Sequence, residues 1–271
     1  MEENRKRIDA LMVSLGVAPS REKAKEMIKS GNVYLNGKVV SKAGLLASDC
    51  DIIEYKGESE RYVSRGGLKL EKAVDVFKLD LNGYLCIDIG ASTGGFTDCM
   101  LQNGAKKVYA VDSGSGQLSP KLKFDPRVID LEKTNFRYIT EKEIPECADF
   151  ASADVSFISL KYILPALSPL LKDGGSAVCL IKPQFEAGRE NVGKKGVVKD
   201  PRVHIKVIKN VCSYAVQAGF SVSALDFSPV KGPEGNIEYL VYLKNDEVQS
   251  VSAPDVAGVV SAAHACFKAG E

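Results

Sequence analysis

Four ionisable residues, Lys69, Asp154, Lys182 and Glu238, stand far apart in the chain, yet each falls where a strand-like or helix-like run begins or ends. Taken singly, a lysine or aspartate in such a place is most simply a surface residue. Two ammonium and two carboxylate groups gathered at one sheet edge are instead the composition of a site that holds charge and exchanges protons. The same reading brings them beside DIGASTGGFTD, Asp88 to Asp98, a glycine-rich turn between an apolar run and a helix-like one. Gly90, Gly94 and Gly95 carry no β-carbon, so backbone amides there can approach a ligand closely, and the N-terminus of the following helix favours a carboxylate or phosphate. An anionic or zwitterionic ligand fits that turn, although glycine-rich strand-to-helix turns also occur with no ligand at all. Roughly twenty residues further on, Lys107 to Asp112 (KVYAVD) closes a second apolar run on an acid. Asp112 thus takes the position from which doubly wound folds hydrogen-bond a ribose.

The elements that must place these groups follow from periodicity. Tyr84 to Ile89 is a short apolar run suited to a strand buried on both faces, and Phe96, Cys99, Met100 and Leu101 give the next helix its apolar side. Further strands are expected at Arg127 to Asp130, Ala148 to Ala153, Ser176 to Lys182, Phe220 to Phe227 and Ile237 to Leu243, with helices such as Lys161 to Leu171 and Val203 to Ala218 between them. This is a doubly wound α/β, Rossmann-like pattern. Ser228 to Asn236 is too short for a helical crossover, so the last two strands should pair antiparallel. Asp154 then ends the fourth strand, Lys182 ends the fifth, and Glu238 opens the last one at the same edge. Lys69 falls in the first turn of a helix expected over Leu68 to Leu79, a poor place for a cation unless solvent or a carboxylate meets it.

Residues 1–60 read as a separate small α+β module. Ile8, Leu11, Met12 and Leu15 form one helical stripe before Gly16; Ser20 caps a second helix carrying Ala24, Met27 and Ile28. Asn32 to Val40 then reads as a hairpin turning at Asn36-Gly37, and Asp51 to Tyr55 as a further strand. Residues 1–45 hold nine Lys/Arg against five Asp/Glu, whereas the whole chain has a net charge of only +1. Arg21, Lys25 and Lys29 recur along the second helix, with Arg5, Arg7 and Lys23 nearby. Such a face is either merely solvated or a phosphate-binding surface.

The string RIDALMVSLGVAPSREKAKEMIKSGNVYLNG resembles the S4 RNA-binding domain, which implies recognition of structured RNA by shape and phosphate. The set Lys69, Asp154, Lys182 and Glu238 resembles the K-D-K-E tetrad of FtsJ-type RNA ribose methyltransferases, and DIGASTGGFTD resembles their S-adenosylmethionine loop. With SRGGLKL, ADVSFISL, KPQFEAGR and GNIEYL in order, nearly the whole chain is similar to the TlyA (hemolysin A) family of rRNA 2'-O-methyltransferases. The resemblance implies an S4-like domain over 1–60, a linker over 61–67, an FtsJ-like methyltransferase domain over 68–246 and a C-terminal helix and tail over 247–271. It implies S-adenosyl-L-methionine as cofactor, bound by Gly90, Ser92, Gly94, Gly95, Phe96, Asp112 and Asp154, with 132–135 (EKTN) near the adenine. It implies rRNA of a ribosomal subunit as partner, the large subunit foremost, with cytidine of 23S rRNA and in some members also 16S rRNA as target. RNA would meet Arg5, Arg7, Arg21, Lys23, Lys25, Lys29 and Arg65, and also Arg189, Lys194 and Lys195 in the loop beside Lys182. In the chemistry so implied a ribose hydroxyl, a weak nucleophile, loses its proton as it attacks; Lys182 is the expected base, with Asp154 and Glu238 orienting the amines.

Composition narrows the alternatives. Seven cysteines are scattered without CxxC spacing, which points to reduced thiols rather than disulfides or zinc. The charged N-terminus lacks a signal peptide's apolar core, and no apolar run reaches the ~20 residues that span a bilayer, so the chain is expected in the cytoplasm, off the membrane and with no obligate protein partner. A pore-forming hemolysin therefore fits poorly. A noncatalytic rRNA-binding assembly factor would share the first module but would not need the tetrad. An amino-methylating enzyme would carry a proline-rich motif where this chain has DVSF. His204 and His264 lack metal-ligand spacing and read as ordinary helix residues, and no metal is expected. A final helix after Pro254 should bury Val259, Ala262, Ala263 and Phe267.

Overall fold

The computed structural model describes residues 5–18, 20–57, 61–246 and 254–268. The chain forms two compact units, residues 1–60 and 61–271. In the first, helices Ile8–Ser14 and Arg21–Lys29 cover a three-stranded antiparallel sheet in the order Lys38–Val39, Val33–Leu35, Ile53–Tyr55. Ser20 caps the second helix by accepting the Lys23 amide at 3.2 Å, and Asn36 and Gly37 both take positive φ, as a tight two-residue hairpin turn requires. Ile8, Leu11, Met12, Ala24, Met27, Ile28 and Val33 form the core. Leu15, assigned above to the buried stripe, is exposed because the helix ends one residue before it.

The second unit is a seven-stranded sheet: β1 (Leu85–Ile89), β2 (Lys107–Val111), β3 (Val128–Leu131), β4 (Ala148–Ala153), β5 (Leu171–Ile181), β6 (Phe220–Phe227) and β7 (Tyr239–Asn245). Their order is β3-β2-β1-β4-β5-β7-β6, with β7 antiparallel to both neighbours and the other pairs parallel. Helices α1 (Gly66–Phe77), α2 (Gly95–Gln102), α3 (Pro201–Gln217) and α4 (Val256–Lys268) pack on it. Apolar side chains cover both faces, Ile87, Ala151 and Cys179 lying in one cluster and Cys86, Phe150 and Val178 in the other. That explains the uninterrupted apolar runs of the central strands.

Three local departures have physical causes. The expected helix over Lys161 to Leu171 is broken into short turns, since Pro165 and Pro169 each begin a new one and supply no N–H to continue the last. Strand β5 starts at Leu171 and shifts register before Ser176, where Gly174 adopts a positive φ. Helix α1 begins at Gly66, two residues before the expected start, and the preceding segment is packed: Tyr62 is buried and the Val63 amide donates to Asp98 Oδ2 at 2.9 Å. In α4 the buried residues are Val260 and Ala263; Ala262, expected inside, faces outward. Residues 247–253 and 269–271 of the expected tail lie outside the described residues.

Candidate active site

One edge of the sheet gathers the ionisable set. Strands β1, β2, β4 and β5 end there, and β7, running the other way, begins there. Asp154 follows β4, Lys182 follows β5, Glu238 precedes β7, and Lys69 reaches the edge from the first turn of α1. Lys69 Nζ lies 2.8 Å from Glu238 Oε2 and 3.3 Å from Asp154 Oδ2; Lys182 Nζ lies 2.6 Å from Asp154 Oδ1 and donates to Ser156 Oγ at 2.9 Å. The four form a continuous chain in the order Lys182, Asp154, Lys69, Glu238. Lys69 and Lys182 are only 7% and 8% exposed, so each amine is met by carboxylate instead of bulk water, Lys69 by two groups and Lys182 by one. Burial works to lower the Lys69 ammonium, but Asp154 and Glu238 outweigh it and hold it above the ordinary lysine range. Burial likewise pushes the Asp154 carboxyl up, and Lys182 and Lys69 together bring it below its usual range.

Beside this chain opens a cleft of about 840 Å³ lined by Gly90, Ser92, Asp112, Phe136, Asp154 and Phe157 among others. Its floor is stitched across strand ends: the Asp154 amide donates to the Ile89 carbonyl, and the Gly90 amide to Val111. Gly90 sits at φ +82, and a β-carbon there would lie 2.7 Å from the Asp154 carbonyl oxygen, so no side chain fits between the two loops. Asp112 accepts the Ser92 amide at 2.8 Å on one oxygen and the Gly114 amide at 2.7 Å on the other, which fixes its carboxylate while leaving acceptor capacity toward the cleft. Gly94, Gly95 and Phe96, expected among the ligand contacts, are buried and are not among the residues that line the cleft. A β-carbon on Gly94 would strike Leu122, one on Gly95 would strike Ser64, and Phe96 is buried in the core. Of the 132–135 segment, Thr134 and Asn135 line the cleft, whereas Glu132 turns away to accept the Gln117 amide.

Beneath the turn, Asp88 is fully buried and accepts from Thr97 Oγ1 at 2.6 Å and Ser152 Oγ at 3.1 Å, tying α2 and β4 to β1. Burial raises its carboxyl to about 6, against 3.8 in the unfolded chain. A folded-state pKa raised above the unfolded one means that stability falls as pH climbs from about 4 to about 6, by at most about 3 kcal/mol. Asp88→Asn, which stays neutral, should therefore gain melting temperature relative to the native protein across that window. A constant difference between the two melting curves from pH 4 to 7 would contradict this.

The geometry meets matching relatives. Residues 62–245 match the FtsJ-like methyltransferase family and residues 6–53 the S4 domain. The chain is 48% identical over 273 residues to a Bacillus subtilis protein provisionally named rRNA methyltransferase YqxC, covering 99% of this chain and 97% of that one. It is 40% identical over 267 residues, 98% of each chain, to the 16S/23S rRNA (cytidine-2'-O)-methyltransferase TlyA of Mycobacterium tuberculosis. The chain belongs to the TlyA family. A solved structure from Streptococcus thermophilus, provisionally described as a hemolysin, superposes with a TM-score of 0.79 at 49% identity over 98% of both chains.

As an FtsJ-like member of the TlyA family, the chain is an S-adenosylmethionine-dependent methyltransferase. The residues of the cleft suit that cofactor: Asp112 would offer a fixed acceptor to ribose hydroxyls, Val111 and Phe136 would give adenine an apolar wall, and the Gly90 turn with Asp154 would supply polar atoms at the methionine end. When bound, S-adenosylmethionine supplies an electrophilic methyl group.

Other residues stand at the cleft beside the tetrad. Phe157 is 91% exposed at φ +63, and its ring centre lies 5.0 Å from that of Phe185. Glu186 accepts from Ser159 Oγ at 2.7 Å and from the Leu160 amide at 2.8 Å, so it clamps the loop after Asp154 to the turn after Lys182. Neither residue was singled out above; the only sequence signal was an aromatic within each of the strings DVSF and KPQFE. Arg65, Arg189, Lys194 and Lys195 are exposed in this unit, the last three in the loop that follows Lys182. In the first unit, Arg5, Lys25 and Lys29 are exposed, and Lys23 pairs with Glu26 at 3.3 Å. Arg7 and Arg21 converge on buried Asp9 at 3.1 and 3.0 Å, an arrangement that holds the Asp9 carboxyl at about 2 and leaves both guanidiniums half exposed in fixed positions. Among the described residues, no helix is long and apolar enough to cross a membrane.

Proposed function

We propose that the protein transfers a methyl group to the ribose 2'-hydroxyl of cytidine in rRNA of the large ribosomal subunit, acting in the cytoplasm. The observation that carries this reading is the Lys182, Asp154, Lys69, Glu238 chain at the mouth of the cofactor cleft. A hydroxyl nucleophile needs a proton acceptor beside it, whereas a base amine does not need two buried lysines. Lys69, locked between two carboxylates, stays an ammonium. Lys182 shares Asp154 with it and further meets the Ser156 hydroxyl and the Phe185 ring, so with one carboxylate against the two on Lys69 it is the amine that takes the proton, and Asp154 holds the resulting ammonium. The names of the relatives support cytidine in 23S rRNA, with 16S rRNA a second target of the Mycobacterium tuberculosis protein. Mapping 2'-O-methyl groups in 23S and 16S rRNA from cells with and without this gene tests the reading; a methyl on a base, or none in either rRNA, would overturn it.

Phe157 offers the acceptor nucleotide a platform, since a base taken out of its stack is stabilised by an exposed ring beside the reacting atoms. Base-on-aromatic stacking is worth about 1–3 kcal/mol. Phe157→Ala should therefore lower kcat/KM for rRNA by roughly tenfold or more, with cofactor affinity unchanged in calorimetry.

A further inference from the structure

His204 of α3 is buried completely and lies outside the tetrad, yet both ring nitrogens are engaged. Its Nε2 is 2.9 Å from the Val198 carbonyl, its Nδ1 is 2.6 Å from the Tyr239 hydroxyl, and His264 of α4 approaches the same Nδ1 at 3.2 Å. A carbonyl can only accept, so Nε2 carries the proton and Nδ1 accepts from Tyr239. Burial draws the imidazole below its ordinary range, in keeping with this neutral form.

Val198 is the one buried residue in a stretch, 193–199, that otherwise presents Lys194, Lys195 and Lys199 to solvent. Its amide donates to buried Asn236 Oδ1 at 3.0 Å, and Asn236 Nδ2 donates to the Gly196 carbonyl at 2.8 Å. The loop is thus gripped at one residue from two sides, its N–H by Asn236 and its C=O by His204. Asn236 and Tyr239 in turn flank Glu238. The same short segment that delivers Glu238 to Lys69 therefore also anchors the basic loop.

We infer that His204 is a positioning residue for the basic loop, holding Lys194 and Lys195 toward the RNA through the Val198 carbonyl and fixing that anchor, through Tyr239, to the start of β7 just after Glu238. The inference rests on the RNA-methylating reading above. A side chain with a donor on one side and an acceptor on the other joins these two partners, which accounts for a histidine at this position.

Two substitutions separate its two bonds. His204→Gln reaches the Nε2 position with an amide donor, whereas the shorter His204→Asn reaches only as far as Nδ1 and leaves the Val198 carbonyl without its partner. In the full-length protein, His204→Asn should raise the KM for rRNA about tenfold, the usual consequence of leaving a buried carbonyl unpaired in the anchored loop. It should leave kcat and cofactor affinity near native and speed amide hydrogen exchange over 193–199, whereas His204→Gln stays close to native in all four. In a Lys194→Ala, Lys195→Ala background, His204→Asn should add less than about a twofold effect, because it acts through those lysines. Equal behaviour of the two variants, unchanged exchange over 193–199, or a full additional KM increase without the lysines would each overturn the inference. Should His204→Asn melt below the assay temperature, Tyr239→Phe carries the same comparison, with a smaller rise in KM and faster loop exchange expected and no change in either overturning it. A native protein that methylates no rRNA would instead overturn the function proposed above, and the exchange measurement would still decide the anchor.

Discussion

Replacing Lys182 with alanine is expected to lower single-turnover methyl transfer to rRNA by about a thousandfold or more, while cofactor affinity stays within about twofold of native. The separation follows from where the side chain sits. Lys182 Nζ faces Asp154 and Ser156 at the rim, 5.9 Å from the centre of the Phe185 ring, and is not on the wall of the cofactor cleft. Its loss would remove the proposed acceptor for the ribose proton and leave the Gly90 turn, Asp112 and Phe136 untouched. General-base assistance is typically worth 10²–10⁴, and alignment of the attacking hydroxyl against the same amine adds to that. Lys182→Arg should not restore activity, because a guanidinium does not give up its proton near neutral pH and so cannot accept one. Near-native turnover of Lys182→Ala would remove Lys182 from the role of base, and a parallel collapse of cofactor affinity would make it a structural residue.

The sheet edge was legible in the sequence because each of its groups marks an element boundary. Asp112, Asp154 and Lys182 each follow the last residue of an apolar run, and a parallel strand puts whatever follows that run at one edge. Glu238 was placed by the length of the preceding loop, which permits only an antiparallel return. What escaped the reading depends on contacts between segments distant in sequence. Glycines in the turn looked alike, yet Gly90 yields to the Asp154 backbone, while Gly94 and Gly95 make room for Leu122 and Ser64 from segments on either side. Asp88 looked like part of a ligand loop and is a buried fastener whose partners, Thr97 and Ser152, come from α2 and β4. Arg7 and Arg21 read as free phosphate contacts, and only the folded first unit brings buried Asp9 between them. His204 and His264 were dismissed because the pattern searched for was metal ligation; Val198, Tyr239 and His264 become partners of His204 only when α3, α4, β7 and the basic loop are packed together.

Asp154 should prove the most costly single member of the set, because it alone touches both lysines and also lines the cleft. One oxygen meets Lys182 and the other Lys69, its amide ties β4 to β1, and it stands on the cleft wall. Asp154→Asn keeps the shape and removes the charge. Turnover is expected to fall about a thousandfold, as for Lys182→Ala, but with cofactor affinity reduced as well, by about tenfold. Folding should suffer too, since Lys69 keeps Glu238 while Lys182 keeps no carboxylate among the described residues, and breaking a buried ion pair by removing one partner costs roughly 3–5 kcal/mol. The pH dependence distinguishes this loss from a general loosening of the fold. Asp154 titrates below its unfolded value, so its stabilising contribution is complete above about pH 4 and disappears as the pH falls through its folded pKa. The melting temperature of Asp154→Asn should therefore lie below the native one by a constant amount from pH 5 to 8, and the gap should narrow only in more acid solution, where the native carboxylate is itself protonated. A gap that instead widens toward acid would mean that Asp154 does not hold the two lysines, and the chain from Lys182 to Glu238 would lose its central member.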